Sequence, residues 1–404
     1  MSTEPAVLLT LMSTLVLGTP QERVARDSAG VSIIRVTVPL DVSAARIRIN
    51  RNPITSLGGA RDSNTFDRIL SVTLSSANKI VVVTRDAPHV RGFTMDGRMA
   101  WTAGRRGRGP GEFVELSSIA SAPGGTTFLQ DDRRADIVGV DDGARVIGRL
   151  APLKSGVIPR IHAPAGPDRF VCSIAKSDSV GPVEVGPYST PLEFGFCGYR
   201  PQEWRPFAIG IERQFEFIRG DGAPERYLRP FGVESTIRSL GDRVVIGDGE
   251  EFEMREFSGA GALRSILRVV SPPVSVTSAH RDDEKDRLRD LYRRPGWNGL
   301  ERLWIAAKWR TRVPAYRTFL LDASGNLWVE LWTSSVQPSR WLVFDARLRL
   351  LGSVSLPPNW RLWQIGTERA TATEIDKFGV SQIHVLQVLP DRSDEIHVVT
   401  RPLR

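Results

Sequence analysis

Carboxylates and guanidinium groups recur along this sequence in short clusters. Arg61-Asp62, Arg85-Asp86, Asp131-Asp132-Arg133-Arg134, Asp248 with Glu250-Glu251, Glu330 and Asp376 each stand at or near the end of an apolar run. Several such carboxylates converging on one point hold Ca²⁺ through hard oxygen ligands. Asp86, Asp132, Asp248, Glu330 and Asp376 are therefore the metal candidates, and no cofactor beyond a structural Ca²⁺ is expected. The competing assignment is local: an Asp after a strand accepts hydrogen bonds from the N–H groups of the turn that follows. Arg105, Arg106 and Arg108 lie in the glycine-rich stretch G-R-R-G-R-G-P-G-E-F, from Gly104 to Phe113. Its backbone N–H groups can face an anion. It is not a Walker loop, because no G-K-[ST] follows. The alternative is a solvated connection whose Phe113 packs between neighbouring sheets. Arg85, Arg105, Arg106, Arg108, Asp131, Arg133, Asp248 and Trp332 form the ligand-binding set suggested by these clusters.

Nucleophilic and metal-hydrolytic chemistry has little to stand on. The five histidines, His89, His162, His280, His384 and His397, form no H-E-x-x-H or other close pair. There is no G-x-S-x-G elbow, and no catalytic residue is expected. The two cysteines, Cys172 and Cys197, lack metal-ligand spacing. They are disulfide candidates if their flanking segments pair antiparallel, and two buried thiols otherwise. A bridge would require an oxidising compartment.

The elements that carry these residues repeat. Gly58 to Phe66, Gly104 to Phe113 and Gly352 to Trp360 each lead to two short apolar strands separated by a turn. Tight-turn dipeptides stand at Asp96-Gly97, Asp142-Gly143, Asp221-Gly222, Ala260-Gly261, Ala346-Arg347 and Asp391-Arg392. Most end in Gly, which accepts the positive φ of hairpin turns. Their spacing is roughly 40–46 residues or about twice that, the period of four-stranded β-propeller blades. The reading is all-β: a six-bladed propeller with blades near 60–103, 113–150, 157–229, 231–270, 314–356 and 359–400. Blade three is stretched by the segment Ser177 to Phe207. A strand near 45–50 closes the ring on blade six, with Glu395 to Thr400 as the rival.

Between blades four and five, residues 276–310 read as helical. Ser278 is a candidate cap, and Leu300, Leu303, Trp304 and Ala307 fall on one helical stripe. The pair is either a surface packing element or a lid that brings Trp297, Trp304 or Trp309 to a ligand. Eight of the ten tryptophans lie from Trp297 onward. Trp328, Trp341, Trp360 and Trp363 fit core positions, and Trp332 can reach the channel mouth.

Among the 404 residues the net charge is +8, yet only six of the 54 basic residues are Lys. This is a dispersed, arginine-rich charge, and nucleic acid is not the expected partner. Residues 1–30 read as signal-like or without fixed structure, and 31–404 as one domain. The run Ala6 to Gly18 resembles a secretory core, although Glu4 and no basic residue precedes it. No run is long enough to span a bilayer as a helix.

The phrase G-R-G-P-G-E-F, then S-S-I-A, then D-D-x-x-x-D-I-V-x-V-D-D-G resembles NHL repeats. More closely, it is similar to bacterial extracytoplasmic six-bladed propellers of that kind, over about residues 45 to 390. The resemblance implies a periplasmic or extracellular monomer. It leaves three functions open: a binding module for a protein, peptide or glycan; a lactonase-like or lyase-like enzyme with Ca²⁺ or Zn²⁺ in the channel; and an RNA-binding propeller.

Overall fold

Five segments of this chain are buried along most of their length: Ile80–Thr84, Thr127–Asp131, Arg243–Gly247, Leu327–Glu330 and Arg369–Ile375. Every residue of the first, second and fourth is buried. A strand with a hydrogen-bonded neighbour on each side and a packed layer on each face leaves few side chains open to water. In the computed structural model each of these runs is the second strand of a sheet. The structure describes residues 21–389 apart from 27–29, 40–41, 46, 60–63, 67, 76–77, 86–88, 110, 122–125, 132, 134–135, 167–168, 177–184, 220–223, 293–298 and 376–378.

Four N-terminal strands come first: β1 (Gln21–Arg26), β2 (Ser32–Thr37), β3 (Arg48–Ile49) and β4 (Thr55–Gly58). Strands β5 (Ile69–Leu74), β6 (Ile80–Thr84), β7 (Val90–Phe93) and β8 (Met99–Ala103) then form an antiparallel sheet. Two short segments, β9 (Arg105–Arg106) and β10 (Glu112–Phe113), pair in the following loop. The next sheet holds β11 (Leu116–Ser121), β12 (Thr127–Asp131), β13 (Asp136–Val140) and β14 (Val146–Arg149). After it come β15 (Arg160–Pro164), β16 (Arg169–Ala175), β17 (Gly186–Gly198), β18 (Ala208–Ile218) and β19 (Glu225–Leu228) in one sheet. Strands β20 (Thr236–Leu240), β21 (Arg243–Gly247), β22 (Glu253–Ser258) and β23 (Leu263–Val270) make the next, followed by helices α1 (Ser278–Leu291) and α2 (Gly299–Ala306). Strands β24 (Thr318–Leu321), β25 (Leu327–Glu330), β26 (Ser339–Phe344) and β27 (Leu350–Leu356) follow. The last sheet holds β28 (Trp360–Ile365), β29 (Arg369–Ile375) and β30 (Ser381–Leu389).

The first strands of successive sheets touch in the order β5, β11, β15, β20, β24, β28, and β28 returns to β5. That closed circuit is a propeller. A separate apolar cluster fills each gap. Val83, Phe113 and Leu129 meet between the sheets that begin at β5 and β11. Phe128 and Phe170, with ring centroids 4.4 Å apart, meet in the next gap. Trp328 and Trp341 fill the gap before the last sheet and are fully buried. Outer strands are wetter: β8 and β14 have no buried residue.

Hairpin turns use one recurring device. Asp141 and Asp345 each accept two backbone N–H groups of their own turn and pair with the Arg four residues on. Asp322 does the same with Ser324 and Asn326, and its second oxygen accepts from Trp328 Nε1 at 2.9 Å.

The N-terminal chain runs around the outside before the first sheet begins. Strand β2 adds in parallel to β23 and packs Ile34 and Val36 into the gap toward β24–β27. Ala45 N then donates to Ser353 O on β27 at 2.7 Å. Gly352, at φ +132°, passes so close to Ala45 that a Cβ would strike its backbone. Strands β3 and β4 both pair antiparallel with β30. The rival closing segment, Glu395 to Thr400, lies outside the described residues, as do residues 1–20 and the turns at Asp221-Gly222 and Asp391-Arg392.

Several expectations change. Residues 21–26 form a strand rather than a structureless leader, because β2 offers them an open edge. The sheet of β20–β23 has six strands once β1 and β2 join, and the sheet of β15–β19 has five. The segment Ser177 to Phe207 supplies the 13-residue strand β17, which pairs with the 11-residue β18 just beyond it. Helix α1 is capped by Thr277, whose side chain and that of His280 form a reciprocal capping box, rather than by Ser278. Cys172 and Cys197, on the paired strands β16 and β17, form a disulfide with Cα atoms 6.0 Å apart.

Two outcomes follow from this architecture. Leu57 is buried on β4 against Phe66, Ile383 and Val385, so Leu57→Ala should cost about 2–5 kcal/mol in urea unfolding. Reducing the disulfide, whose cysteines are 25 residues apart, should lower the unfolding free energy by about 3 kcal/mol.

Candidate functional site

Where first strands begin and second strands end, the propeller presents one face. On one side of that face lies a cleft of about 770 Å³. Its floor and walls come from Thr236 and Asp248, Tyr316, Arg317 and Thr318, Glu330 and Trp332, and Asn359, Trp360 and Arg361. Phe231 and Glu234 close it from the linker before β20, and α1 stands over it with His280, Asp283, Glu284 and Arg287.

Helix α1 is fixed at both flanks by its acids. Asp283 accepts from Ser335 N at 2.7 Å and from Ser335 Oγ, in the loop after β25. Glu284, 2% exposed, accepts from Phe231 N at 2.9 Å and from Arg287 through both oxygens at 2.7 Å. Its apolar edge, Leu288, packs with Leu300 and Leu303 of α2 onto Ile218 and Tyr227. Arg310 grips Glu250 in a bidentate pair at 2.9 and 2.7 Å, pinning the far end of the insertion. The helices are thus a strap across this face. The tryptophans expected to reach under it do not: Trp304 and Trp309 pack against Lys285, Arg281 and Arg289 of α1, and Trp297 lies outside the described residues.

Trp332 is held rigidly. Its Nε1 donates to Tyr316 O at 2.9 Å, Phe231 meets it edge-on at 5.7 Å, and the Arg317 guanidinium lies 4.7 Å over the ring. Beside it lie Arg317, Arg361 and Glu330. Glu330 is buried, and burial raises its carboxyl pKa against the opposing pull of Arg317 and Arg361. Arg361 reaches water along the channel yet is walled by protein, and burial lowers its pKa while Glu330 raises it. Deeper on the axis, burial and then Arg361 push Arg238 down to about 10. Next to Arg238, burial followed by Arg160 and Arg238 pushes His162 down to about 3, so its ring stays neutral. Its Nε2 lies 2.7 Å from Ser173 Oγ. Arg238, Arg317 and Arg361 form no salt bridge among the described residues; Arg238 and Arg317 hydrogen-bond only backbone carbonyls.

Of the residues singled out by sequence, Asp248, Glu330 and Trp332 come together in this cleft. Arg85, Arg105, Arg106, Arg108, Asp131 and Arg133 are not among its lining residues. Asp131 is consumed by structure: it accepts from Val114 N, Glu115 N and Arg133 N, while Arg133 pairs with Glu115 at 2.9 Å. The glycine-rich loop is likewise satisfied internally, with Glu112 accepting from Gly109 N at 2.7 Å and pairing with Arg105 at 2.9 Å. Its Phe113 is buried beside His89. Asp248 caps its own turn through Glu250 N. Asp86, Asp132 and Asp376 lie outside the described residues. Among the described residues no three His, Cys, Asp or Glu side chains gather as a metal site. Sequence reading passed over Arg238, Arg317 and Arg361. Arg238 and Arg361 interrupt otherwise apolar first strands, and that was the available signal.

No protein-family model matches the sequence, and no curated protein is significantly similar to it. Solved structures give distant likenesses. A member of the duf4221 family from Bacteroides vulgatus is 9% identical with a TM-score of 0.46, over 86% of this chain and 100% of that one. Virginiamycin B lyase from Staphylococcus aureus is 11% identical with a TM-score of 0.39, over 85% and 100%. A gluconolactonase from Xanthomonas campestris is 12% identical with a TM-score of 0.39, over 87% and 97%. No helix among the described residues is long and apolar enough to cross a membrane.

The Glu330 carboxyl gives a sign that can be measured. A folded pKa above the unfolded one favours folding at low pH and loses that advantage as pH rises through the folded pKa. Glu330→Gln should therefore raise Tm at pH 7 relative to wild type, and the difference should close toward pH 4.

Proposed function

We propose that this chain is a six-bladed, NHL-like propeller exported from the bacterial cytoplasm, and that it binds an acidic glycan in the cleft beneath α1. The observation that carries this reading is the pair Arg317 and Arg361, which line the cleft and form no salt bridge among the described residues, although Glu330 and Glu234 both act on Arg361. Guanidinium groups attract a carboxylate and bind it with bidentate geometry. Trp332 adds a rigid aromatic surface, and Thr333, Ser335, Gln337 and Asn359 add neutral hydrogen-bonding groups along the wall. A concave site with a few convergent polar groups is the usual form of a small-ligand pocket. The disulfide supports an oxidising compartment, outside the cytoplasm.

Glu330 favours a second reading. A buried carboxyl with a raised pKa in a cleft is suited to general acid work. Under that reading the same cleft belongs to a propeller hydrolase or lyase that cleaves the sugar it holds.

Titration calorimetry with oligogalacturonate and with the matched neutral galactan separates these ideas. Binding of the acidic chain alone is expected, with Arg361→Ala and Trp332→Ala each weakening it at least about tenfold, the worth of one charge-assisted bond. Equal affinity for the neutral chain, or no binding of either, would sink the proposal. Chain cleavage during the titration, abolished by Glu330→Gln, would move the assignment to the enzyme.

A further inference from the structure

The last sheet carries a second constellation outside the cleft. Ser56 on β4, His384 on β30 and Glu374 on β29 lie side by side on one sheet face. Ser56 Oγ is 3.0 Å from His384 Nδ1, and His384 Nε2 is 3.0 Å from Glu374 Oε2. Chemistry fixes which way the protons run. A lone pair on Nε2 facing an ionised carboxylate would be repulsive, so Nε2 carries the hydrogen and donates it to Glu374. Nδ1 is then the bare nitrogen and accepts from the Ser56 hydroxyl. The order hydroxyl, imidazole, carboxylate is that of a catalytic triad, with the two ring nitrogens exchanged: in the serine-protease template Nε2 meets the hydroxyl and Nδ1–H the carboxylate, whereas here Nδ1 meets the hydroxyl and Nε2 the carboxylate.

Its surroundings suit that role. His384 is 4% exposed and stacks on Trp360 with ring centroids 4.8 Å apart, which fixes the imidazole plane. Ser56, by contrast, is exposed. A histidine satisfied for packing alone does not require its hydroxyl partner to face solvent. Strand β4 is outermost, and on its far side no strand pairs with it among the described residues.

We propose that Ser56 is an activated nucleophile that cleaves carboxylic esters, with His384 as its base and Glu374 as the positioning residue. Ser56 Oγ bonds to the acyl carbon while its proton passes to His384 Nδ1. The C–O bond to the alcohol then breaks, and the alcohol leaves with that proton. Water adds to the acyl-enzyme, giving a proton to Nδ1, and the acid departs as that proton returns to Ser56 Oγ. The proposal does not depend on the glycan cleft, since none of the three residues lines it.

The test is covalent labelling of the full-length protein with an alkyl fluorophosphonate, read by intact mass and peptide mapping, beside p-nitrophenyl butyrate hydrolysis. Wild type should gain one adduct, on Ser56, and Ser56→Ala none. Glu374→Gln should slow labelling at least tenfold with Tm unchanged, and Glu374→Asp should restore part of the rate. Absence of an adduct on folded wild type, an adduct on another serine, or an unchanged rate in Glu374→Gln would overturn the proposal. Because Ser56 and Glu374 are both solvent-accessible, these variants keep the test valid even if His384→Gln fails to fold.

Discussion

Each sheet of this protein is apolar on both faces, and the molecule is stable only if every face is covered. In a row of such sheets the first and last would each leave one face to water. Closing the row into a ring removes both ends. Here the closure falls on a short stretch of backbone: β3 and β4 complete the sheet of β28–β30, so the N-terminal chain and the last described strand are locked together. Leu57 and Ile383 then meet Phe66 and Val82 of the first sheet, and the last gap is filled.

The ring also dictates where charge can sit. Its first strands point some side chains toward a common axis, where no partner sheet covers them. Arg160, Arg238 and Arg361 occupy such positions, and they act on one another or on His162 strongly enough to shift ionisation. The strap formed by α1 adds the remaining wall, and its own acids are spent on anchoring, in Asp283–Ser335 and Glu284–Arg287, rather than on neutralising the axis.

Two chemistries therefore share one end of the propeller without sharing residues. Trp360 stands between them: it lines the cleft and stacks on His384. The cleft draws its residues from blade-to-blade connections and the loops after second strands. The Ser56–His384–Glu374 chain instead lies across three neighbouring strands of one sheet, where β4 exists only because the ring is closed.

Much of the fold was legible in the chain itself. Runs such as Ile80-Val81-Val82-Val83 report a strand covered on both sides, and tight turns recurring at roughly 40–46 residues, or at that interval plus an insertion, report repeated hairpins. These signals are local, since burial pattern and turn geometry are set by residues a few positions apart. The device at Asp141, Asp322 and Asp345 belongs to the same class, because each carboxylate serves N–H groups of its own turn. What the linear order could not contain was the meeting of distant residues. Asp131 looked like a ligand until Val114 and Glu115 folded onto it, and Arg105 looked available until Glu112 turned back to hold it. Arg238 and Arg361 are 123 positions apart in the numbering, and Ser56 and His384 lie 328 apart. Composition and periodicity determined that sheets would form and repeat; only closure of the circle decided which of their side chains would share an axis, a cleft or a proton.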